Sequence, residues 1–131
     1  MKTCIIDDDP IFVFGTKRLI NEIGFSTEIT VYENGEDAIH GFHSTLADNE
    51  PLPNVVLLNL NMPIMNGWEF LDEFISIPNP SRDHVLIYVI SSSVDPRDLA
   101  KVKEYSEVSN YILKPITIPD LKDIINTIPR A

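Results

Sequence analysis

The sequence predicts an α/β chain with five parallel strands and five helices on both faces of the sheet. Three observations carry this. Short apolar runs, rich in β-branched residues, alternate with longer stretches whose apolar residues recur at helical spacing. The run at 55–58 is apolar at every position, as in a strand buried on both faces. Turn and helix-start residues follow the runs, as crossovers between parallel strands require. The 131 residues fit one domain, 1–131.

In chain order, 3–6 is the first strand. Pro10 favours a helix start, and Phe12, Leu19, Ile20 and Ile23 follow at near-helical spacing up to Gly24. The alternating, β-branched stretch 27–32 is the second strand. After the Asn34-Gly35 turn, Ala38, Ile39, Phe42 and Leu46 form a helical stripe, which Pro51 and Pro53 end. Strand three is 55–58, and Trp68, Leu71, Phe74 and Ile75 face the core from helix three. The stretch IPNPSRD reads as a loop, and 85–90 as strand four. Asp95 caps the next helix, Pro96 fits its first turn and Asp98 suits its dipole. Strand five is 111–113. Thr117 caps the last helix, whose stripe is Leu121, Ile124, Ile125 and Ile128.

Composition excludes several functions. A net charge of −10 disfavours nucleic acid and anionic membranes, because both need an excess of Lys and Arg. It suits a protein partner, a divalent cation or plain solubility. No apolar run approaches the roughly 20 residues that span a bilayer, and the acidic turn in MKTCIIDDDP is unlike a signal peptide. The expected compartment is the cytoplasm. Cys4 has no partner for a disulfide and reads as a buried hydrophobe. His40, His43 and His84 read as surface residues rather than a metal set.

In parallel α/β sheets, ligands sit beyond the carboxyl ends of the strands. There the sequence places Asp7-Asp8-Asp9, then Asn59 and Asn61, then Ser91-Ser92-Ser93, then Lys114-Pro115. Each group alone is unremarkable: acids and serines after strands are usually solvated turns. Together they form coherent chemistry. Adjacent carboxylates with a carbonyl oxygen suit Mg²⁺. A lysine and a hydroxyl can hold a phosphoryl oxygen. The missing part is a carboxylate nucleophile, which would form an aspartyl phosphate.

The segments IIDDDP, LLNLNMPIMNGWEF, VISSS and YILKP, in this order and spacing, resemble the receiver domain of two-component response regulators. The likeness is to the stand-alone chemotaxis-regulator type and covers essentially the whole chain. It implies a flavodoxin-like sheet in the order 2-1-3-4-5. It implies that Asp7 and Asp8 hold Mg²⁺, with the backbone carbonyl of Asn61. Ser91 matches the hydroxyl that contacts the phosphoryl group, with Ser92 as its substitute in a looser register. Tyr111 matches the aromatic that swings inward on activation, and Lys114 the lysine of the site. The Lys114-Pro115 peptide is usually cis in the family.

Asn59 departs from the pattern. It occupies the phosphoacceptor position, where the family has Asp, and Met62-Pro63 fixes that register. Its carbonyl oxygen could still ligate Mg²⁺, but its NH₂ is no nucleophile. Three origins account for the amide: an engineered block, a natural pseudo-receiver that signals by binding, or an alternative acceptor elsewhere. The expectation is therefore a non-enzymatic, single-domain receiver, unphosphorylated at Asn59, with weakened Mg²⁺. Its implied partners are a sensor histidine kinase or phosphotransfer protein and a downstream target. The target would dock on the face spanning roughly 95–128, and the chain would be a monomer or weak dimer.

Two other classes fit less well. A flavin carrier needs a phosphate loop rich in Ser, Thr and Gly, where this chain has three acids. A hydrolase with Asp7 as nucleophile and Asp9 as acid leaves the Met62-Pro63 and Lys114-Pro115 motifs unexplained.

Overall fold

The computed structural model describes residues 1–128. Strands β1 (Lys2–Ile6), β2 (Glu28–Tyr32), β3 (Val55–Leu58), β4 (Leu86–Ser91) and β5 (Val108–Leu113) form one parallel sheet in the order β2-β1-β3-β4-β5. The helices are α1 (Pro10–Glu22), α2 (Gly35–Ala47), α3 (Gly67–Phe74), the one-turn α4 (Asn79–Arg82), α5 (Pro96–Val102) and α6 (Ile118–Thr127).

Side chains of a strand alternate between the two faces, so an all-apolar strand feeds two cores. Ile6, Val56, Leu58 and Ile87 meet Ala38, Ile39 and Phe42 of α2 and Phe70, Leu71 and Phe74 of α3. The Phe42 ring stands edge-on to those of Phe70 and Phe74, at 5.7 and 6.2 Å between centroids. On the other face Ile5, Leu57, Tyr88 and Ile90 meet Ile20 of α1 and Leu121 and Ile124 of α6. Each fully buried Leu, Ile or Phe contributes about 1.5–3 kcal/mol, which pins the strands in register and fixes their carboxyl ends.

The helix starts follow the sequence signals. Asp9 caps α1 by accepting from the Ile11 and Phe12 N–H groups, and Pro10 occupies the first turn. Gly24, at φ +65°, ends it. Asn66 and Glu69 form a capping box on α3, Thr117 and Asp120 another on α6, and Asp95 caps α5.

Four expectations are corrected. The fifth strand begins at Val108, not at 111. Ser109 and Asn110 are exposed edge positions with no apolar signal, and a register shift leaves Ser109 unpaired. Strand four spans Leu86–Ser91 rather than 85–90. IPNPSRD is not all loop. A single turn needs few interior N–H donors, so α4 tolerates its prolines, and Arg82 ties it down through the Ile77 carbonyl at 2.6 Å. Phe70 takes the buried place on α3 given to Ile75, which is 40% exposed.

Candidate functional site

The parallel ladder delivers the site by running one step beyond the strands. Ile6 pairs with Leu58, so Asp7 and Asn59 come next side by side. The Asn59 N–H donates to the Ile6 carbonyl at 2.9 Å. Ser91 pairs with Leu113, and the Lys114 N–H donates to the Ser91 carbonyl at 2.9 Å. Gly67 completes the pocket wall. Its N–H reaches the Leu60 carbonyl, and a Cβ there would stand 2.5 Å from the Asn59 carbonyl oxygen.

Asp7 is buried, Asn59 is nearly so at 7% exposed, and Asp8 faces solvent. The Asn59 side-chain amide donates to the Asn61 carbonyl at 2.9 Å and to Oδ1 of both Asp7 and Asp8 at 3.4 Å. Asp7 Oδ1 also accepts from the Asp9 N–H at 2.9 Å. Lys114 Nζ lies 2.8 Å from Asp7 Oδ2, which has no well-directed hydrogen bond, so the contact is an ion pair. The ammonium also sits 4.5 Å from the Phe12 ring centre. Burial raises the Asp7 carboxyl above its ordinary value; Lys114 and the Asp9 N–H oppose this without cancelling it, and Asp8 adds to it.

Asp7, Asp8, Asn59 and Asn61 thus meet as the sequence predicts, but Asn59 takes part differently. In this structure its N–H groups face the acids, whereas the expected metal ligand is its carbonyl oxygen. Opposite partial charges make that orientation favourable when no cation lies between them. Two carboxylates and a backbone carbonyl are the right donors for Mg²⁺, which needs oxygens at about 2.1 Å around one point. Here the amide nitrogen lies at the meeting place of those oxygens, so the group does not fit as arranged. Among the described residues no cluster of three His, Cys, Asp or Glu side chains could hold a metal.

Ser91 is buried and its Oγ accepts from the Ser93 N–H at 3.0 Å, while Ser92 is exposed. The half-buried Tyr111 donates its hydroxyl to the Ser93 carbonyl at 2.8 Å and packs on Leu60, Val89 and Val102. The Ser93 hydroxyl donates to Asp98 at 2.8 Å and accepts from the Asp95 N–H at 3.2 Å. Sequence reasoning missed Ser93 as this junction and Phe12 as the support of Lys114. The capping signal at Asp95 could have drawn attention to Ser93, two residues earlier. Lys114-Pro115 is cis. Asp9, spent on capping α1, is not poised as a hydrolase acid. His40, His43 and His84 are exposed, as expected.

The comparisons with known proteins agree with the fold. Residues 3–126 match the family model described as the response regulator receiver domain. The crystal structure of a two-component response regulator from Cytophaga hutchinsonii superposes with a TM-score of 0.84 at 30% identity, covering 96% of this chain and 94% of that one. Among curated proteins, hybrid signal transduction histidine kinase I of Dictyostelium discoideum is 27% identical over 96% of this chain, which spans 7% of it. The probable methanogenesis regulatory protein FilR2 of Methanothrix harundinacea is 25% identical over 95% of this chain, which spans 78% of it. With its sheet order and its acid, serine and lysine strand ends, the chain belongs to the response regulator receiver domains of two-component signalling.

Proposed function

We propose that this chain takes no phosphoryl group at residue 59 and acts by reversible protein contact. One observation carries the reading. At the point where Asp7, Asp8, Asn61 and Lys114 converge, the side chain is an amide. An amide nitrogen donates hydrogen bonds and has no lone pair free to attack phosphorus. Mg²⁺ affinity is weakened by loss of the third carboxylate. No other chemistry is assigned to the pocket: the chain is a binding module in the cytoplasm, not an enzyme.

The pseudo-receiver form of this reading has its own support. Ser93, Tyr111, Asp95 and Asp98 are joined by hydrogen bonds around the β4–α5 loop, and the Ser91 Oγ accepts from the Ser93 N–H, so the loop is ordered without a phosphoryl group. In this reading Ser91 and Tyr111 hold one conformation rather than switch. The upstream partner is a sensor histidine kinase or phosphotransfer protein. The downstream target docks on α5, β5 and α6, where Arg97, Lys101, Lys103 and Lys122 mix with Glu104, Asp120 and Asp123 around the exposed Leu99 and Leu113. The chain itself is a monomer or weak dimer.

The test is intact mass after incubation with acetyl phosphate and Mg²⁺. The native chain should stay unmodified, and Asn59→Asp should gain one phosphoryl group. A phosphoryl group on the native chain would refute the proposal by revealing another acceptor.

A further inference from the structure

Resting on the assignment of this pocket to a receiver, we infer that the Asn59 amide does a divalent cation's structural work and keeps the cation out. The three oxygens that its nitrogen contacts come from two loops. Asp7 and Asp8 belong to the loop after β1, and Asn61 to the loop after β3. A cation there would tie the two loops together and offset the negative charge of the acids. The amide does both: its N–H dipole points at the oxygens, and it is anchored covalently at the end of β3.

Neighbouring groups hold it in that orientation. Asp7 Oδ1 is shared with the Asp9 N–H, and Asp7 Oδ2 faces Lys114, so neither oxygen is free to swing away. The Asn59 backbone is fixed by the Ile6 carbonyl, and Gly67 closes on its carbonyl oxygen. The side chain could turn its oxygen towards the acids only by trading three attractive contacts for three repulsive ones. A cation entering the pocket must therefore break an existing network instead of filling an open one.

The inference makes an unexpected demand. Asn59→Ala removes a possible metal ligand, yet it should improve metal binding, because it also removes the blocking donor. Mg²⁺ titrations of the native chain, Asn59→Ala and Asn59→Asp, followed by calorimetry, read this directly. Mn²⁺ broadening of the Asp8 and Asn61 amide resonances locates the site, and circular dichroism confirms folding of each variant. The expected order is Asn59→Asp tightest, then Asn59→Ala about tenfold tighter than the native chain. Native binding as tight as that of Asn59→Ala, or tighter, would overturn the inference, because the amide oxygen would then be serving the cation. Should Asn59→Ala fail to fold, a native Asn59 NH₂ resonance that shifts on stoichiometric Mg²⁺ would overturn it alone, and one that stays fixed would sustain it. If even Asn59→Asp binds no Mg²⁺, the reading of this pocket as a cation site fails, and the inference with it.

Discussion

Lys114 Nζ stands 2.8 Å from Asp7 Oδ2, and this ion pair joins the end of β5 to the end of β1 across the strands between them. The Asp7 side chain is 1% exposed and that of Lys114 18%, so the pair is largely dry. Removing one partner of such a pair strands a buried charge. Lys114→Met should therefore destabilise the fold by about 3 kcal/mol in chemical denaturation. The sign of the pH effect follows from Asp7. Its carboxyl already titrates above the ordinary value because it is buried. Losing the ammonium raises it further, so the deficit should be largest at neutral pH and shrink as acid protonates Asp7. A deficit that does not change between neutral and mildly acidic pH would show that the lost stability is not electrostatic.

Tyr105 gives a second pH marker, on another face. Its hydroxyl donates to Asp72 at 2.8 Å and its ring stacks on Trp68 at 6.0 Å. Burial, then Asp72, pushes the phenol up to about 12. The folded state therefore favours the neutral phenol. Its contribution is complete below about pH 10, the ordinary phenol value, and is lost as pH rises towards 12. Trp68 is the one tryptophan, so its fluorescence reports the titration. Asp72→Asn should move the quenching midpoint down, and an unmoved midpoint would remove Asp72 as a cause.

Gly67 shapes the pocket from behind. A Cβ there meets backbone, the Asn59 carbonyl oxygen at 2.5 Å and the Leu60 Cα at 2.9 Å, and neither can step aside alone. Gly67→Ala should cost about 1–3 kcal/mol by overpacking. Gly41→Ala should cost less, since its Cβ would meet the movable tip of the Tyr32 side chain. Thermal melts of the two variants rank them, and the reverse order would contradict the geometry.

Ile64 carries strain at the rim. It is 73% exposed and held at φ +69°, a region that a β-branched residue rarely enters. The Met65 N–H closes this tight turn onto the Pro63 carbonyl at 2.8 Å. Ile64→Asn should stabilise the chain by about 1 kcal/mol, because Asn tolerates a left-handed backbone. A lower melting temperature would mean that the Ile64 side chain contributes more than its backbone costs.

The sequence made the sheet legible because buried strands carry dense signals. Residues 55–58 could be bounded to the residue, since all are apolar and Pro53 and Asn59 flank them. The edge strand β5 was half legible, because Ser109 and Asn110 look like loop residues and pair only on one side. The caps at Asp95 and Thr117 were legible because capping is local. In the pocket, the residue set could be read from strand ends and motif spacing. What those signals could not convey was direction. Whether Asn59 offers its oxygen or its nitrogen depends on charges brought from 52 and 51 positions away, which only the folded sheet supplies. The role of Phe12 beneath Lys114 escaped notice for a related reason, because ring placement leaves no residue pattern, whereas the Ser93 junction is hinted at only by the Asp95 cap beside it.

One measurement tests most directly whether Asn59 sets the charge balance of the pocket: the melting temperature of Asn59→Asp beside the native chain, with chelator and with Mg²⁺. Without metal, the variant faces a new carboxylate against Asp7, Asp8 and the Asn61 carbonyl at the distances the amide now bridges. It should melt about 5 °C below the native chain in chelator, and Mg²⁺ should recover most of that loss while leaving the native chain unmoved. A variant that melts at or above the native temperature without metal would contradict the account.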